Sequence, residues 1–261
     1  MKTLIGSMIL LFVMVWGCSD DSTGPAEGNG TIKMYMTDSP AAYDSVIVIV
    51  QRVEVHRTGA DSTDGWIVID DNLRAFDLLQ LRNGTTVILG DSVLPAGTYN
   101  QIRLVLANGS YVIDNGVKHD LNVPSGMQSG IKINHSFTIQ SNSVYEVMID
   151  FNVELSIHIT GNNQYILRPV LRCIPLSSSG SVSGQVLPLD AQAIIFTTSG
   201  TDTISTYADL LGFFKLMALT QGTYDIEINA LNPIYRDTVI TGVNVTAKQN
   251  TEIGLVVLGT N

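Results

Sequence analysis

Turn signals between short apolar runs are the feature that most constrains the fold of this 261-residue chain. The stretch YVIDNGVKHDL places Asn115-Gly116 between two runs of alternating polarity, and this dipeptide favours the two-residue turn of a β-hairpin. Asn83-Gly84 and Asn108-Gly109 repeat the signal. Because such turns join neighbouring antiparallel strands, the sequence predicts sheets built by local pairing.

The segments between the turns have the length and composition of strands. Val46 to Val55 reads VIVIVQRVEV, a β-branched run that becomes alternating. Crossover helices are missing from the pattern, which excludes a parallel α/β fold. NLRAFDLLQL, from Asn72 to Leu81, fits either a short helix or a strand. The predicted fold class is all-β, with two antiparallel β-sandwich domains in tandem.

The first 17 residues have the anatomy of a cleaved secretory signal peptide, with Lys2 followed by an apolar run that is too short to span a bilayer. Gly17-Cys18 then resembles the lipobox of bacterial lipoproteins, although Trp16 stands where a small residue is usual. The resemblance implies lipidation of Cys18 and an exported protein that is anchored to the cell envelope, with the membrane as a partner through this N-terminal lipid.

Composition shifts predict the domain organisation. A signal peptide (1–17) is followed by a flexible, polar, Gly-rich tether (18–30), a first sandwich (31–176), a Pro/Ser/Gly-rich linker (177–181) and a second sandwich (182–261). Asp20 and Asp21, which follow Cys18 and Ser19, resemble the surface-export signal of Bacteroidota-type lipoproteins. That resemblance implies a location on the outer membrane, facing outward.

The first domain resembles the secreted domain family called DUF4382. The similarity is carried by MTDSP from Met36 to Pro40, by LPAGTYNQIRLVL from Leu94 to Leu106, and by VMIDFNVELSIH from Val147 to His158. It spans Gly30 to Ile174. The resemblance implies an all-β module on a prokaryotic envelope lipoprotein, and it implies no activity.

The second domain resembles the carboxypeptidase regulatory-like family, which has a transthyretin-like fold grouped with carbohydrate-binding-like domains. The similarity is carried by Gly184-Gln185-Val186, by Asp209-x-x-Gly212-Phe213-Phe214 and by Leu219-x-x-Gly222-Thr223-Tyr224. Leu210 and Leu211 depart from the pattern, because turn residues at this place are usually polar. The peptidase's own zinc motif is missing from the sequence.

The charge of the chain and the spacing of its Cys, His and Asp residues limit which partners and metal ions it could bind. The net charge is −10 and no Lys/Arg cluster occurs, which argues against nucleic acid as a partner. With Cys18 lipidated, Cys173 is left as a small buried hydrophobic residue and no internal disulfide can form. The four histidines lack zinc-site spacing, and the loop with Asp61 and Asp64 lacks calcium-loop spacing. No metal or cofactor is predicted.

A search for catalytic residues gives no motif. Serine occurs in no G-x-S-x-G or S-x-x-K pattern with its companions. Carboxylates that could work across strands are Asp38 with Asp44, Asp70 with Asp71, and Asp150. Most lie at strand ends, where Asp ordinarily holds a turn. The sequence therefore predicts a protein that is not an enzyme, and a hydrolase with cross-strand carboxylates remains a third hypothesis.

Aromatic residues near turns are the candidates for ligand binding, because an aromatic ring can stack on a sugar. They are Trp66, Tyr111, Tyr165 and Tyr235. Trp66 opens an apolar strand run, so packing against the core is the alternative interpretation. The leading hypothesis is a non-catalytic module that recognises carbohydrate or another extracellular macromolecule. The alternative is a structural or adhesion spacer, or a subunit of an envelope assembly, without a small ligand.

A hexapeptide pattern, Leu-x-x-Gly-Thr-Tyr, occurs twice, at Leu94–Tyr99 and at Leu219–Tyr224. We predict a turn or bulge with positive φ at Gly97 and Gly222, after which Tyr99 and Tyr224 begin a strand and tie their hydroxyls to a nearby connection. After the turn, the apolar residues of the two copies alternate one residue out of step. The same positions of the pattern therefore face the core in one copy and solvent in the other. The sequence thus predicts one turn device used in two different sandwiches.

Overall fold

The computed structural model describes residues 28–61, 64–124, 129–200 and 202–261. Strands make up 65% of the structure and helices 6%, which confirms the predicted all-β class. No helix in the described part of the chain is long and apolar enough to cross a membrane.

The first thirteen strands form two sheets. One sheet has the order β13-β10-β1-β5, and the other has the order β11-β12-β8-β7-β2-β6-β9, with β3 and β4 also paired to β2. The strands are β1 (Asn29–Ser39), β2 (Ser45–Arg57), β3 (Trp66–Asp70), β4 (Arg74–Asp77), β5 (Val87–Pro95), β6 (Gly97–Leu106), β7 (Tyr111–Asp114), β8 (Val117–Asn122), β9 (Ile131–Ile139), β10 (Val144–Asn152), β11 (Ile157–Ile159), β12 (Tyr165–Leu167) and β13 (Val170–Pro175). A single helical turn, α1 (Val153–Ser156), follows β10.

The remaining strands form two further sheets, with the orders β17-β14-β20 and β16-β15-β18-β19. None of their strands belongs to a sheet of the first part. The strands are β14 (Ser179–Leu187), β15 (Ile194–Ser199), β16 (Asp202–Tyr207), β17 (Phe213–Thr220), β18 (Gly222–Asn229), β19 (Thr238–Val245) and β20 (Asn250–Val257).

The sheets are mainly antiparallel, as predicted, but three strand pairs are parallel: β1 with β10, β8 with β12, and β14 with β20. Turn signals could not reveal these pairs, because the partners are joined by long connections rather than by a hairpin.

The C-terminal ends of the predicted tether and of the predicted linker lie in strands. β1 begins at Asn29, inside the predicted tether, and residues 179–181 of the predicted linker lie in β14. Gly30 is closely packed, since a Cβ atom there would lie 2.3 Å from the carbonyl oxygen of Gln140. A Cβ atom at Gly180 would lie similarly close to the carbonyl oxygen of Thr246, at 2.4 Å, so these two glycines allow tight packing and are not part of a flexible segment.

The ambiguous segment Asn72–Leu81 contains both alternatives. It holds strand β4 and then a 3-10 turn, Leu78–Gln80, whose first turn is capped by the carboxylate of Asp77. Leu78 and Leu79 are buried in the core. A single capped turn is too short to give a helical period, which is why the sequence pattern left the choice open.

The core of the larger unit lies between its two sheets. Val46, Val48 and Val50 of β2 are buried, and the alternation resumes at Val53 and Val55 after a bulge near Arg52. Each fully buried aliphatic side chain stabilises the fold by roughly 1.5–3 kcal/mol relative to exposure. Burial in this alternating register fixes which face of β2 is outward.

In the two Leu-x-x-Gly-Thr-Tyr turns, the tyrosines form the same hydrogen bond, but the glycines adopt different φ angles. Tyr99 Oη donates to the carbonyl oxygen of Pro95 (2.8 Å), and Tyr224 Oη donates to that of Thr220 (2.7 Å). Gly97 has φ +148°, but the predicted positive φ at Gly222 is wrong. A Cβ atom at position 222 would make only ordinary contacts, so this turn needs no glycine conformation.

The one-residue difference in phase has a visible cause. Where β6 pairs with β2, one residue of β6, Asn100, is extra opposite the pair His56 and Arg57. This bulge puts Ile102, three residues after the tyrosine, into the core, whereas in β18 the buried residue is Ile226, two after the tyrosine.

Candidate functional site at the junction of the two sandwiches

The predicted aromatic residues occupy separate places, and the predicted lipidation residue Cys18 lies outside the described residues. Trp66 begins β3 on the outer face of the large sheet. The Arg103 guanidinium lies 3.9 Å from its ring centroid, and His56 packs against the ring edge at 5.0 Å. Arg103 is itself held by the buried carboxylate of Glu54. The ring of Trp66 is thus engaged within the protein.

Tyr111 and Tyr165 project from opposite faces of their sheet. In the register, Tyr111 lies opposite Asp120 and Tyr165 lies opposite Leu121, and neighbouring residues of a strand point to opposite faces. Tyr111 is half-buried beneath the Lys118 ammonium, at 4.1 Å. Tyr165 is buried and donates to Asp114 (2.8 Å), a hydrogen bond that raises the pKa of Tyr165.

Tyr235 belongs to the second sandwich, where its hydroxyl donates to the Asp190 carboxylate at 2.9 Å and 3.0 Å. This bond raises the pKa of Tyr235. The four aromatic candidates therefore do not form one platform, and each has a partner inside the protein.

The candidate carboxylates serve mainly as turn and ion-pair partners. Asp44 accepts from Gly116 N (2.7 Å), and Asp70 binds Arg74. Asp38 and Asp150 share a cavity of about 20 Å³. Asp150 is held there by Arg172 Nη2 (2.8 Å). A cavity of this size admits a water molecule and has no room for a substrate. Among the described residues, no group of three or more His, Cys, Asp or Glu side chains is placed to hold a metal ion.

Cys173 fits its predicted role as a small apolar residue. It packs against the core of the first sandwich, and burial raises the pKa of its thiol to about 12. Such a thiol is almost entirely protonated at neutral pH and is a poor nucleophile.

The two sandwiches meet through the turn at Asn83-Gly84. Asn83 Nδ2 donates to the carbonyl oxygen of Phe213 (3.1 Å), and its Oδ1 accepts from Lys215 N (2.6 Å). The amide of one side chain thus pairs with both backbone groups of the edge strand β17, as a neighbouring strand would. Asn83 has φ +56°, and Gly84 packs on the Lys215 side chain.

A second contact lies nearby, at β13. Arg172 bridges from Asp150 to the carbonyl oxygen of Ala218 (3.3 Å). Met148 and Ile174 of the first sandwich form a small buried cluster with Ala218 of the second. The junction thus combines hydrogen bonds, a charged group and an apolar contact.

Beside this junction lies a cleft of about 520 Å³, the candidate functional site. It is lined mostly by the second sandwich, and Arg82 contributes from the first. Arg82 is half-buried, and its guanidinium lies 5.7 Å from the ring centroid of Tyr207. Within the described part of the chain its guanidinium forms no hydrogen bond or ion pair. Clefts of this size at domain junctions are common ligand sites.

Exposed leucines line the cleft together with Asp190 and Asp209, whose carboxylates already accept hydrogen bonds from Tyr235 and from backbone amides. The leucines are Leu189, Leu210 and Leu231, which are 49%, 93% and 55% exposed. Leu210 lies at the tip of the hairpin between β16 and β17, where Asp209 Oδ1 accepts from the amides of Leu211 and Phe213, both at 2.9 Å. The hydrogen bonds fix the turn, so Leu210 is presented to solvent by a defined backbone.

One part of this site is visible in the sequence, because Leu210 and Leu211 are apolar residues in a predicted turn. Arg82 and Asn83 were missed as functional residues, because their partners lie more than a hundred residues away in the chain. A turn signal such as Asn83-Gly84 carries no information about such distant contacts.

The model of DUF4382, a domain of unknown function, matches residues 29–169. The chain belongs to the DUF4382 family. The matched region ends before β13, so it covers most of the first sandwich and leaves the second outside. No curated protein matches the chain.

Solved structures with weak similarity include a type II cohesin–X-dockerin complex from Acetivibrio cellulolyticus (24% identity, 31% of this chain and 58% of that chain, TM-score 0.26). The minor pilin GBS52 of Streptococcus agalactiae shares 9% identity over 88% of this chain and 96% of the pilin, with a TM-score of 0.26. A shaft pilin SpaA variant from Lactobacillus rhamnosus GG shares 7% identity over 90% and 98%, with a TM-score of 0.23. TM-scores this low carry no argument about function.

Proposed function

We propose that this DUF4382 protein is a non-catalytic module of the cell envelope that binds a protein partner in the cleft beneath Arg82. One observation carries the proposal: the half-buried residue Arg82 lines a cleft with exposed leucines, and its guanidinium has no hydrogen-bonding partner among the described residues. Exposed apolar side chains beside a charged anchor are typical of sites for protein segments. The matching ligand is an extended segment with an apolar side chain and a carboxylate.

Carbohydrate recognition has less support. Sugar sites use aromatic rings with an open face. The ring of Trp66 lies against Arg103, the Tyr111 ring lies beneath Lys118, and the Tyr165 ring stacks on His119 with centroids 4.2 Å apart. The Tyr207 ring in the cleft lies against Arg82. A protein partner therefore replaces the glycan as the leading hypothesis.

The test is selection of peptides from a random phage-displayed library with the chain lacking residues 1–18. We expect enriched clones that combine an apolar residue with a carboxylate and that lose at least about tenfold in affinity, or 1.4 kcal/mol, on Arg82→Gln. Leu210→Ser should weaken binding, and Leu73→Ser, at an equally apolar exposed site away from the cleft, should not. No enrichment, or equal binding by all variants, would contradict the proposal; a glycan-array signal would restore the carbohydrate hypothesis.

A structural spacer without a ligand is the second candidate. It is favoured by the contacts of Asn83 and Arg172, which cross from one sandwich to the other. If neither the peptide selection nor the glycan array gives a ligand, the structural spacer becomes the favoured function.

The proposed module has a lipid anchor at one end and a second domain at the other. We infer that Cys18 is lipidated and that residues 182–261 form a carboxypeptidase regulatory-like domain, supported by its two-sheet arrangement of strands. Cys18→Ser should move the protein from the membrane fraction to the soluble fraction, and its retention in membranes would contradict the anchor.

A further inference from the structure

A small buried cavity lies between the sandwiches, separate from the cleft. Its volume is about 20 Å³, and it is lined by Asp38 at the end of β1 and by Thr206 of β16. Asp150, with Ser39 beside it, closes one side, and Lys215 closes another. The cavity therefore has walls from both sandwiches.

Two polar atoms at this cavity have no partner in the protein. Asp38 Oδ2 and Thr206 Oγ1 are the buried side-chain atoms of the described residues that form no hydrogen bond. The two residues are 4% and 2% exposed. Native proteins rarely leave such groups unsatisfied, since the loss of hydration is not compensated. One orphaned atom on each sandwich, at one cavity, points to a shared ligand.

The size and chemistry of the cavity select that ligand. A buried water needs at least about 10–15 Å³ and two or more polar partners, and both conditions are met. A metal cation needs more oxygen ligands than one free carboxylate oxygen and a hydroxyl. Asp150 is already bound by Arg172, and the positive charges of Lys215 and Arg82 are nearby.

We infer that one buried water molecule bridges Asp38 Oδ2 and Thr206 Oγ1, and that this bridge is a pH-sensitive latch between the two sandwiches. The water donates to the carboxyl group, or accepts from it when it is protonated, and its other contact is the threonine hydroxyl. The cavity is distinct from the cleft and the inference does not need the proposed partner, although Arg82 of the cleft also acts on the charge of Asp38.

Protonation of Asp38 sets the pH dependence of the latch. Burial, followed by the negative charge of Asp150, holds the pKa of Asp38 well above its usual range, against the opposing effects of the Val153 and Ser39 amides and of Arg82. A raised pKa in the folded state means that the proton stabilises the fold. This stabilisation is present at acid pH and is lost as the pH rises through the folded pKa.

The first test is a crystal structure at a resolution of about 1.2 Å, at which waters and ions are distinguished by contact length. We expect one water at about 2.7–3.1 Å from Asp38 Oδ2 and from Thr206 Oγ1. A metal ion at the site, a dry cavity, or a direct bond between Asp38 and Thr206 would overturn the inference.

The second test separates the proton from the water in solution. Urea unfolding should show the wild-type protein losing stability relative to Asp38→Asn as the pH rises above about 4, the ordinary pKa of an unfolded aspartate. Thr206→Val should lower the midpoint of unfolding, whereas Thr206→Ser, which retains the hydroxyl, should restore it. Parallel pH curves for the wild type and Asp38→Asn, or equal effects of Val and Ser, would contradict the latch. If a variant does not fold, the wild-type crystal structure decides.

Discussion

At the residue scale, two tyrosine side chains hold the turns at which strands β6 and β18 begin. Tyr99 and Tyr224 bind the carbonyl oxygen four residues earlier in two unrelated sandwiches. The Leu-x-x-Gly-Thr-Tyr pattern predicted this role for the tyrosines because the contact is local. It failed for Gly222, which does not adopt a positive φ and where a Cβ atom would make only ordinary contacts.

Removing these hydroxyls tests the turn device. Tyr99→Phe and Tyr224→Phe should each destabilise the protein by about 1 kcal/mol, because each loses a partly buried hydrogen bond to a backbone carbonyl. Urea unfolding measures the change. Tyr111→Phe is the matched control, because phenylalanine retains the ring that the Lys118 ammonium contacts. Its effect on the free energy of unfolding should stay within about 0.5 kcal/mol. Equal losses in all three variants would contradict a special role for the turns.

Cys173 offers a pH-dependent test. With a pKa of about 12, the thiol is ionised in only about one molecule in ten thousand at pH 8. In the chain lacking residues 1–18, an aromatic disulfide reagent should react with the folded protein at least about a hundred times more slowly than with the protein in urea. Similar rates in both states would show that the thiol is not protected.

At the scale of elements, strands were predictable and their long-range pairing was not. The β-branched alternation in β2 and the Asn115-Gly116 turn are local patterns, and both glycine-type φ values appear where expected, at 50° and 75°. The parallel pairing of β1 with β10 joins residues more than a hundred positions apart. Such a register depends on the closure of the whole sandwich, which no local pattern records.

The Asn83 turn is the element that joins the edge strand β17 to the first sandwich. Asn83→Ala should destabilise the protein by about 1–3 kcal/mol more than Asn142→Ala, because it removes hydrogen bonds to two backbone groups. Asn142 is the matched control: it has φ +57°, so alanine meets the same backbone strain, and its side chain is exposed. Equal changes in the midpoint of urea unfolding would assign the whole effect to backbone strain.

At the scale of the whole molecule, binding in the cleft depends on how the two sandwiches are joined. The sequence predicted two β units, and it missed the cleft, the buried cavity and the Arg82 guanidinium between them. These features arise only where residues from both units meet. A fixed junction would hold Arg82 in a constant position over the cleft, which is the condition for selective binding of a partner segment.

The most direct test of this account is the distance distribution between spin labels on the two sandwiches, measured by double electron–electron resonance. In the chain lacking residues 1–18, labels at Val117→Cys and Val239→Cys suit this purpose, because the two positions are 55% and 51% exposed and lie in different sandwiches. Cys173→Ser removes the remaining native thiol. We predict one narrow distance that broadens on Asn83→Ala. A broad or two-peaked distribution in the parent protein would contradict a fixed junction.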